Sequence, residues 1–209
     1  MARPRQTLLT RERIVEAAAA LVDAEGLEAV SVRRLATELG VQGPSLYNHF
    51  GTKAEILDAV ADAVIARVDV SAFAEYHWVE ALRRWAHSYH AELSAHPNIV
   101  PVLAHGPGTR PAALAMADRV YGALIDAGWS PARATHIGAL MRYLVTGSAL
   151  GSFALGFPDD PELYQQYPHL QQAHRLAGHQ QCVDEGAFVL GLETLLSGLE
   201  IALKNGMDR

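Results

Sequence analysis

Three consecutive residues with polar tips, Tyr47, Asn48 and His49, stand out in the stretch VQGPSLYNHFGTKAEIL at 41–57. Their phenol, amide and imidazole groups donate and accept hydrogen bonds, and the ammonium group of Lys53 follows closely. The apolar residues of the stretch indicate a helix, yet a small helix does not need three adjacent polar tips for its own packing. We infer that a partner outside the chain meets them.

The elements that position these groups form a helix-turn-helix pattern. Ser31 can cap a short helix with one apolar face, and Gly40 suits the left-handed position after its end. Pro44 fits the first turn of the next helix, where a missing N–H costs nothing. In such a motif the second helix lies in the DNA major groove, with its N-terminal part nearest the base edges.

The second helix and its flanks therefore offer a suitable surface for DNA. Small residues at its start permit close approach, Tyr47 can donate to a phosphate, and Lys53 can bind another phosphate at the start of the following helix. A helical hairpin with ordinary solvated polar residues fits the same pattern. The DNA-facing positions that the pattern predicts are Gln42, Gly43, Pro44, Ser45, Tyr47, Asn48, His49 and Lys53.

The segment SVRRLATELGVQGPSLYNHFGTKAEILDAV at 31–60 closely resembles the DNA-binding segment of TetR-family transcriptional repressors. The family pattern T-x-R-x-L-A-x-x-L-G-V-x-x-x-x-L-Y-x-H-F-x-x-K-x-x-L is matched at nearly every fixed position. The resemblance implies a DNA-binding regulator released from a palindromic operator by a small molecule. It also implies DNA contacts at Ser31, Arg33, Ser45, Tyr47, Asn48, His49 and Lys53.

Helical signals dominate the whole chain, and no strand pattern of useful length is present. They predict an all-α fold of nine or ten helices, with an N-terminal three-helix DNA-binding domain over 1–54 and a larger effector-binding and dimerisation domain over 55–209. After the DNA-binding segment, the predicted helices run over 78–95, 111–127, 131–157 and 188–203. The stretch 158–181 is rich in Pro, Gln, Asp and His and is expected to be a loop or a short irregular helix.

GTRPAAL at 108–114 and FVLGLETLLSGLEIAL at 188–203 resemble the ligand-binding body of the tetracycline-repressor branch, which implies an effector pocket. Such pockets are mostly apolar with a few placed polar groups, although aromatic residues at helical spacing equally suit an ordinary core. Arg110 is expected to report on the pocket from a loop far from the DNA-binding segment. The predicted pocket residues are Trp85, Tyr89, His105, Thr109, Arg110, Met116, Met141 and Tyr143.

No metal or cofactor is expected. The chain has ten histidines, but its single cysteine, Cys182, is not part of a CxxC pair, and zinc sites usually need three or four ligands. Tetracycline repressors hold their drug with Mg²⁺. The matching helix here reads GSALGSFALGF, without the carboxylate of that branch, so tetracycline is not the expected effector.

The final helix predicts a homodimer. Residues 188–203 are apolar almost all round, and such a helix must be buried. Gly191 and Gly198 permit close approach, and a similar row of small residues lies within 131–157. We expect the helices near 131–157 and 188–203 of two subunits to form a four-helix interface; a wholly internal final helix is the alternative.

Composition limits the other function classes. The net charge is −6, but residues 1–53 carry seven basic against six acidic side chains. The net negative charge therefore lies in residues 54–209. No run approaches the 18 to 20 apolar residues of a membrane span, and a cytoplasmic location is expected. An all-α enzyme and a ligand-independent DNA-binding protein are the alternatives. The enzyme alternative lacks support, because the sequence contains no G-x-S-x-G motif, no H-E-x-x-H motif and no phosphate-binding glycine loop.

Overall fold

The computed structural model describes residues 9–103 and 108–206. Within these residues the chain forms nine α-helices joined by turns and 3₁₀ segments, with no β-strand, so the predicted all-α class is confirmed. The helices are α1 (Arg11–Glu25), α2 (Val32–Leu39), α3 (Gly43–Tyr47), α4 (Lys53–Ile65), α5 (Ala72–Glu75), α6 (Trp78–Ala95), α7 (Pro111–Asp126), α8 (Pro131–Ala149) and α9 (Gln180–Lys204).

The chain divides into two compact units. The first consists of Met1–Arg67 and His96–Leu114, and the second of Val68–Ala95 and Ala115–Arg209. In the first unit α1 packs against α2 and α4, and α2 packs against α3. Its core contains Ile14, Val22, Leu35, Leu46, Phe50, Ile56, Val60 and Val64.

A polar cluster fixes the segment that re-enters the first unit after α6. The imidazole Nδ1 of His96 lies 2.9 Å from a carboxylate oxygen of Asp23, and its Nε2 lies 2.9 Å from a guanidinium nitrogen of Arg67. Because arginine only donates, Nε2 accepts and Nδ1 carries the proton. The amide of Asn98 donates to the carbonyl oxygen of Val22 at 2.9 Å. Side chains thus tie residues 96–98 to the ends of α1 and α4.

In the second unit α6 is the central helix, and it contacts α5, α8 and α9. Arg83 of α6 donates to both carboxylate oxygens of Glu193 of α9, at 2.7 and 3.0 Å, and this pairing holds the pKa of Glu193 below its ordinary value. Phe188 of α9 stacks on His90 with ring centroids 4.0 Å apart. Burial, followed by the neighbouring His87, lowers the pKa of His90. The α6–α9 junction is therefore both ion-paired and aromatic.

Two of the predicted helix boundaries are wrong. The helix expected over 131–157 ends at Ala149, and a short 3₁₀ segment follows at Ala154–Gly156. The Ser152 hydroxyl and the Asp184 carboxylate accept from backbone N–H groups at 155 and 153, which gives the backbone an alternative to the helix. The helix expected over 188–203 begins earlier, at Gln180, because a polar first turn continues the same helix.

The two faces of α9 differ sharply. Phe188, Leu192 and Leu196 are buried inside the subunit. The opposite face is exposed and uncharged, with Leu190 70% exposed, and it consists of Ala187, Leu190, Thr194, Ser197 and Ile201. By length and mean hydropathy of 1.6, Ala177–Lys204 also passes the criterion for a membrane-crossing helix, which corrects the expectation that no such run exists. A single helix of this kind equally suits a protein interface.

Candidate functional site

The helix-turn-helix is built by caps and buried anchors. The Ser31 hydroxyl accepts from the N–H of residue 34 at 3.2 Å, which starts α2, and Gly40 ends it with a left-handed φ of 66°. The short α3 then follows, with Gly43 and Pro44 in its first turn. Leu46 and Phe50, 1% and 3% exposed, anchor the segment in the core. The same backbone that buries these two residues turns the remaining positions to solvent.

The predicted DNA-facing residues lie together on this motif. Tyr47 is 58% exposed, a large fraction for an aromatic ring. Gly43, Ser45, His49 and Lys53 are half-buried, and the exposed members are Ser31, Arg33, Gln42, Pro44, Tyr47 and Asn48. We name residues 42–49 the recognition segment. Its individual DNA contacts stay predictions.

The end of the recognition segment is a turn. The helix α3 ends at Tyr47, and Asn48 is its C-cap. The N–H groups of His49 and Phe50 both donate to the carbonyl of Leu46, at 2.9 and 3.0 Å. The two side chains therefore project from a tight turn, and their direction depends on what holds that turn.

Lys53 is placed to receive a phosphate at the start of α4. The Thr52 hydroxyl caps α4 by accepting from the N–H of Glu55 at 3.1 Å, and the Glu55 carboxylate accepts from the N–H of Gly51, the residue before the cap, at 3.0 Å. The Lys53 ammonium lies 3.5 Å from the Glu28 carboxylate, which is almost fully exposed. Such a pair is weak, so the ammonium group is readily available to DNA.

Two carboxylates of α4 hold the loop that precedes α7. Asp58 accepts from Nε and one terminal nitrogen of Arg110, at 3.0 and 2.8 Å, and Arg110 also donates to the carbonyl of Val102 at 2.9 Å. Asp62 accepts from the N–H of Ala112 at 2.9 Å and so caps the start of α7. The sequence reasoning missed both carboxylates, although their i, i+4 spacing on α4 is a usable signal.

The loop and α4 also enclose a surface cavity of about 310 Å³ within the first unit. Most of its lining residues are charged, and the lining consists of Arg11, Glu55, Asp58, Ala59, Asp62, Thr109, Arg110 and Pro111. Arg110 therefore belongs to the compact unit that carries the helix-turn-helix. This position differs from the expectation that it lies far from the DNA-binding segment.

Comparison with known proteins identifies the chain. A family model described as "Bacterial regulatory proteins, tetR family" matches residues 14–60, and a model described as "Tetracyclin repressor-like, C-terminal domain" matches residues 74–203. The second match alone spans more than half of the chain. The chain belongs to the TetR family. It is a DNA-binding, ligand-responsive transcriptional regulator.

Relatives of this TetR-family chain cover nearly its whole length. Tetracycline repressor protein class C of Escherichia coli is 33% identical over 202 residues, which cover 92% of this chain and 91% of the relative. An HTH-type transcriptional regulator of Saccharopolyspora erythraea is 34% identical over 141 residues, 68% of this chain and 60% of the relative. The crystal structure of apo ActR from Streptomyces coelicolor is 30% identical, with a TM-score of 0.78 and coverage of 96% and 99%. ActR is also known in complex with actinorhodin.

The predicted effector residues of the TetR-family chain divide between its two units. Thr109 and Arg110 line the polar cavity of the first unit, and His105 lies outside the described residues. In the second unit Trp85 and Tyr89 are each 2% exposed, with ring centroids 5.7 Å apart, and Met141 is fully buried. The two remaining positions are more accessible: Met116 is half-buried and Tyr143 is 63% exposed. Their contacts with an effector stay predictions.

Trp85 carries a polar atom that the fold leaves unsatisfied. Its indole Nε1 is buried and has no hydrogen-bond acceptor among the described residues, although the ring packs against Tyr89 and lies 6.4 Å from Phe73. Leaving a buried donor unpaired costs about 1–3 kcal/mol. Contact between an effector and Trp85 Nε1 stays a prediction. Among the described residues no group of three or more His, Cys, Asp or Glu side chains could hold a metal ion.

Proposed function

We propose that this protein is a cytoplasmic repressor that binds a palindromic operator as a homodimer and leaves it when a small, largely apolar effector binds. The recognition segment carries this proposal, because it exposes Tyr47 and Asn48 on a helix-turn-helix anchored by Leu46 and Phe50. A two-fold dimer presents two such segments, and half-sites about one helical turn apart match that symmetry. The mechanism uses no cofactor, no catalytic group and no membrane.

The exposed face of α9 supports the dimer. It runs from Ala187 to Ile201 without a charged side chain, and interface cores are depleted in charge. Beside it, α8 approaches α9 closely: a Cβ at Gly191 would meet a methyl carbon of Leu144 at 3.1 Å. We propose that α8 and α9 of two subunits form the four-helix interface.

The effector of this proposal has a flat apolar body with a hydrogen-bond acceptor on its edge. The aromatic rings of Phe73, Trp85 and Tyr89 suit the body, and Trp85 Nε1 suits the acceptor. ActR, a relative of similar length, is known in complex with actinorhodin, so actinorhodin is a sensible first compound to test. Release requires that the effector prefer the state that does not bind DNA. Turning a 99:1 population into 1:99 takes about 5.5 kcal/mol.

The DNA part of the proposal is tested by selection and footprinting. The full-length protein selects duplexes from a random-sequence library. Footprinting on the most strongly selected duplex should reveal two related half-sites. Sedimentation of the complex should give two chains for each duplex. Protection of a single half-site by one chain would contradict the palindromic operator.

The effector part is tested with two buried tryptophans. Trp85→Phe removes the indole nitrogen from the proposed site. Trp129→Phe is the matched control, because its indole nitrogen is also buried and has no partner within the described part of the chain. We expect both variants to bind the selected duplex, and only Trp85→Phe to need a raised concentration of actinorhodin, or of a ligand found by native mass spectrometry, for release. Equal responses of both variants would exclude Trp85 as a contact.

A further inference from the structure

Arg11, the first residue of α1, makes two contacts with the turn that ends the recognition segment. Its guanidinium donates to the carbonyl oxygen of His49 at 2.6 Å. The same group lies 3.8 Å from the ring centroid of Phe50, in a cation–π arrangement. Phe50 is 3% exposed and belongs to the core of the first unit. One planar cation therefore contacts two successive residues of the turn, one through its backbone and one through its ring.

These contacts lie just beyond the C-terminal end of α3. The helix α3 has five residues and ends at Tyr47, so Asn48 and His49 project from the turn beyond it. On the inner side, the buried Phe50 ring fixes this turn. On the outer side, the contact with the His49 carbonyl is made by Arg11, 38 residues earlier in the chain.

We propose that Arg11 is a positioning residue for sequence-specific DNA recognition, and that it acts by clamping the turn at His49 and Phe50 rather than by binding DNA. The clamp keeps the Asn48 and His49 side chains aimed at the major groove. Arginine is required because a planar guanidinium can stack on a ring and donate in its own plane, which an ammonium group cannot do. The proposal rests on the DNA-binding function and adds a determinant of its specificity.

An arginine in a DNA-binding unit has an obvious second role, which is direct contact with a phosphate. The two roles give different signatures. Loss of a phosphate contact weakens all sequences alike and reduces the slope of log K against log salt by about 1. Loss of a positioning contact weakens the specific site and leaves nonspecific binding and the salt slope unchanged.

The test uses full-length Arg11→Ala and Arg11→Lys with two duplexes, the one that the wild type selects from a random library and a scrambled duplex of equal composition. Arg84→Ala is the matched control, because Arg84 also lies over an aromatic ring, 4.2 Å from the centroid of Tyr76, but in the second unit. We expect both Arg11 variants to lose about tenfold in affinity for the selected duplex, the size of one base contact. Affinity for the scrambled duplex and the salt slope should not change, and Arg84→Ala should match the wild type.

Three results would overturn the proposal: equal losses on both duplexes with a smaller salt slope, full rescue by lysine, or an unchanged specificity ratio. A merely structural role lowers the melting temperature, but the protein that remains folded keeps its ratio of affinities for the two duplexes. Thermal unfolding is therefore measured alongside. If Arg11→Ala does not fold, the lysine variant decides the question, because it keeps the charge. Failure of the wild type to select any sequence would instead contradict the proposed regulator.

Discussion

At the scale of single residues, we expect Asn48 of the recognition segment to read bases and Lys53, which follows this segment, to bind the DNA backbone. Asn48 is exposed at the C-cap of α3, whereas Lys53 begins α4 and has only a weak partner in Glu28. An amide can form paired hydrogen bonds with a base edge, while an ammonium group binds phosphates of any sequence. The two residues should therefore contribute to different properties of the complex.

We expect Lys53→Ala to weaken binding to all duplexes about equally and to reduce the salt slope by about 1, since it removes one phosphate contact. Asn48→Ala should instead reduce discrimination by about 1–3 kcal/mol, the value of one base contact, with an unchanged slope. Fluorescence anisotropy with selected and scrambled duplexes over a range of salt measures both. A uniform loss in both variants would show that Asn48 does not read the groove.

The sequence correctly predicts residues that begin and end helices, because local rules govern these positions. Ser31 accepts from the N–H group that its cap position implies, and Gly40 has the expected left-handed backbone. It does not predict contacts between distant parts of the chain. Arg11 lies 38 residues from the carbonyl that it meets, and no local pattern encodes that pairing.

At the scale of elements, we propose that the contact between α4 and the loop before α7 couples effector binding to DNA binding. Asp58 and Asp62 receive hydrogen bonds from Arg110 and from the first turn of α7, and α4 begins directly after the recognition segment. A change in the loop therefore acts on the helix that begins at Lys53. The sequence alone suggested that Arg110 reports on the pocket, whereas its contact with α4 is visible only in the structure.

We expect Arg110→Ala and Asp58→Ala each to raise the effector concentration that releases the operator, because each breaks the same link. The double variant should be no worse than Arg110→Ala alone, since residues in direct contact are not additive. Titration of effector against preformed complexes of all four proteins measures this cycle. Additive losses would show that the two side chains act independently, and release at the wild-type concentration would make the loop a scaffold only.

Glycine positions in α7 and α8 give a test of packing inside the second unit. A Cβ placed at Gly138 of α8 would collide with the ring of Tyr121 of α7, whereas one at Gly122 would meet nothing within 4 Å. We expect Gly138→Ala to lower the free energy of unfolding by about 1–3 kcal/mol through overpacking. Gly122→Ala should raise it by up to about 1 kcal/mol through helix propensity. Urea unfolding of both variants measures the difference, and equal midpoints would mean that Tyr121 simply moves aside.

Helix boundaries show the limit of sequence reasoning at this scale. The apolar pattern of 188–203 located the core of α9 but not its polar first turn at Gln180. In α8 the apolar pattern continued to 157, yet the helix ends at Ala149, where side-chain oxygens of Ser152 and Asp184 accept from the following backbone. Apolar periodicity reports which residues can be buried, and it does not report where tertiary hydrogen bonds replace the helical ones.

At the scale of the whole molecule, the exposed face of α9 is the feature that a single chain leaves unexplained. Leu190 and Ile201 are 70% and 57% exposed, and the residues between them on that face are small and uncharged. Three occupants fit such a face: a membrane, an unrelated protein or a second copy of the chain. Family membership and a motif that reads one half-site per chain favour the second copy.

Leu190→Lys tests that assignment, and symmetry makes the test sensitive. In a two-fold interface each substitution occurs twice, and burying a leucine side chain contributes roughly 1.5–3 kcal/mol, so two copies lose about 3–6 kcal/mol before the cost of the two ammonium groups is counted. We therefore expect the dissociation constant of the dimer to rise at least about 100-fold, with loss of operator binding at concentrations where the wild type is saturated. Ile125→Lys of α7, which is 45% exposed, provides the control for an added surface charge. Sedimentation velocity over a dilution series measures both variants. A Leu190→Lys protein that remains dimeric would move the interface away from α9, and a wild-type chain that is monomeric but binds lipid vesicles would assign this face to a membrane.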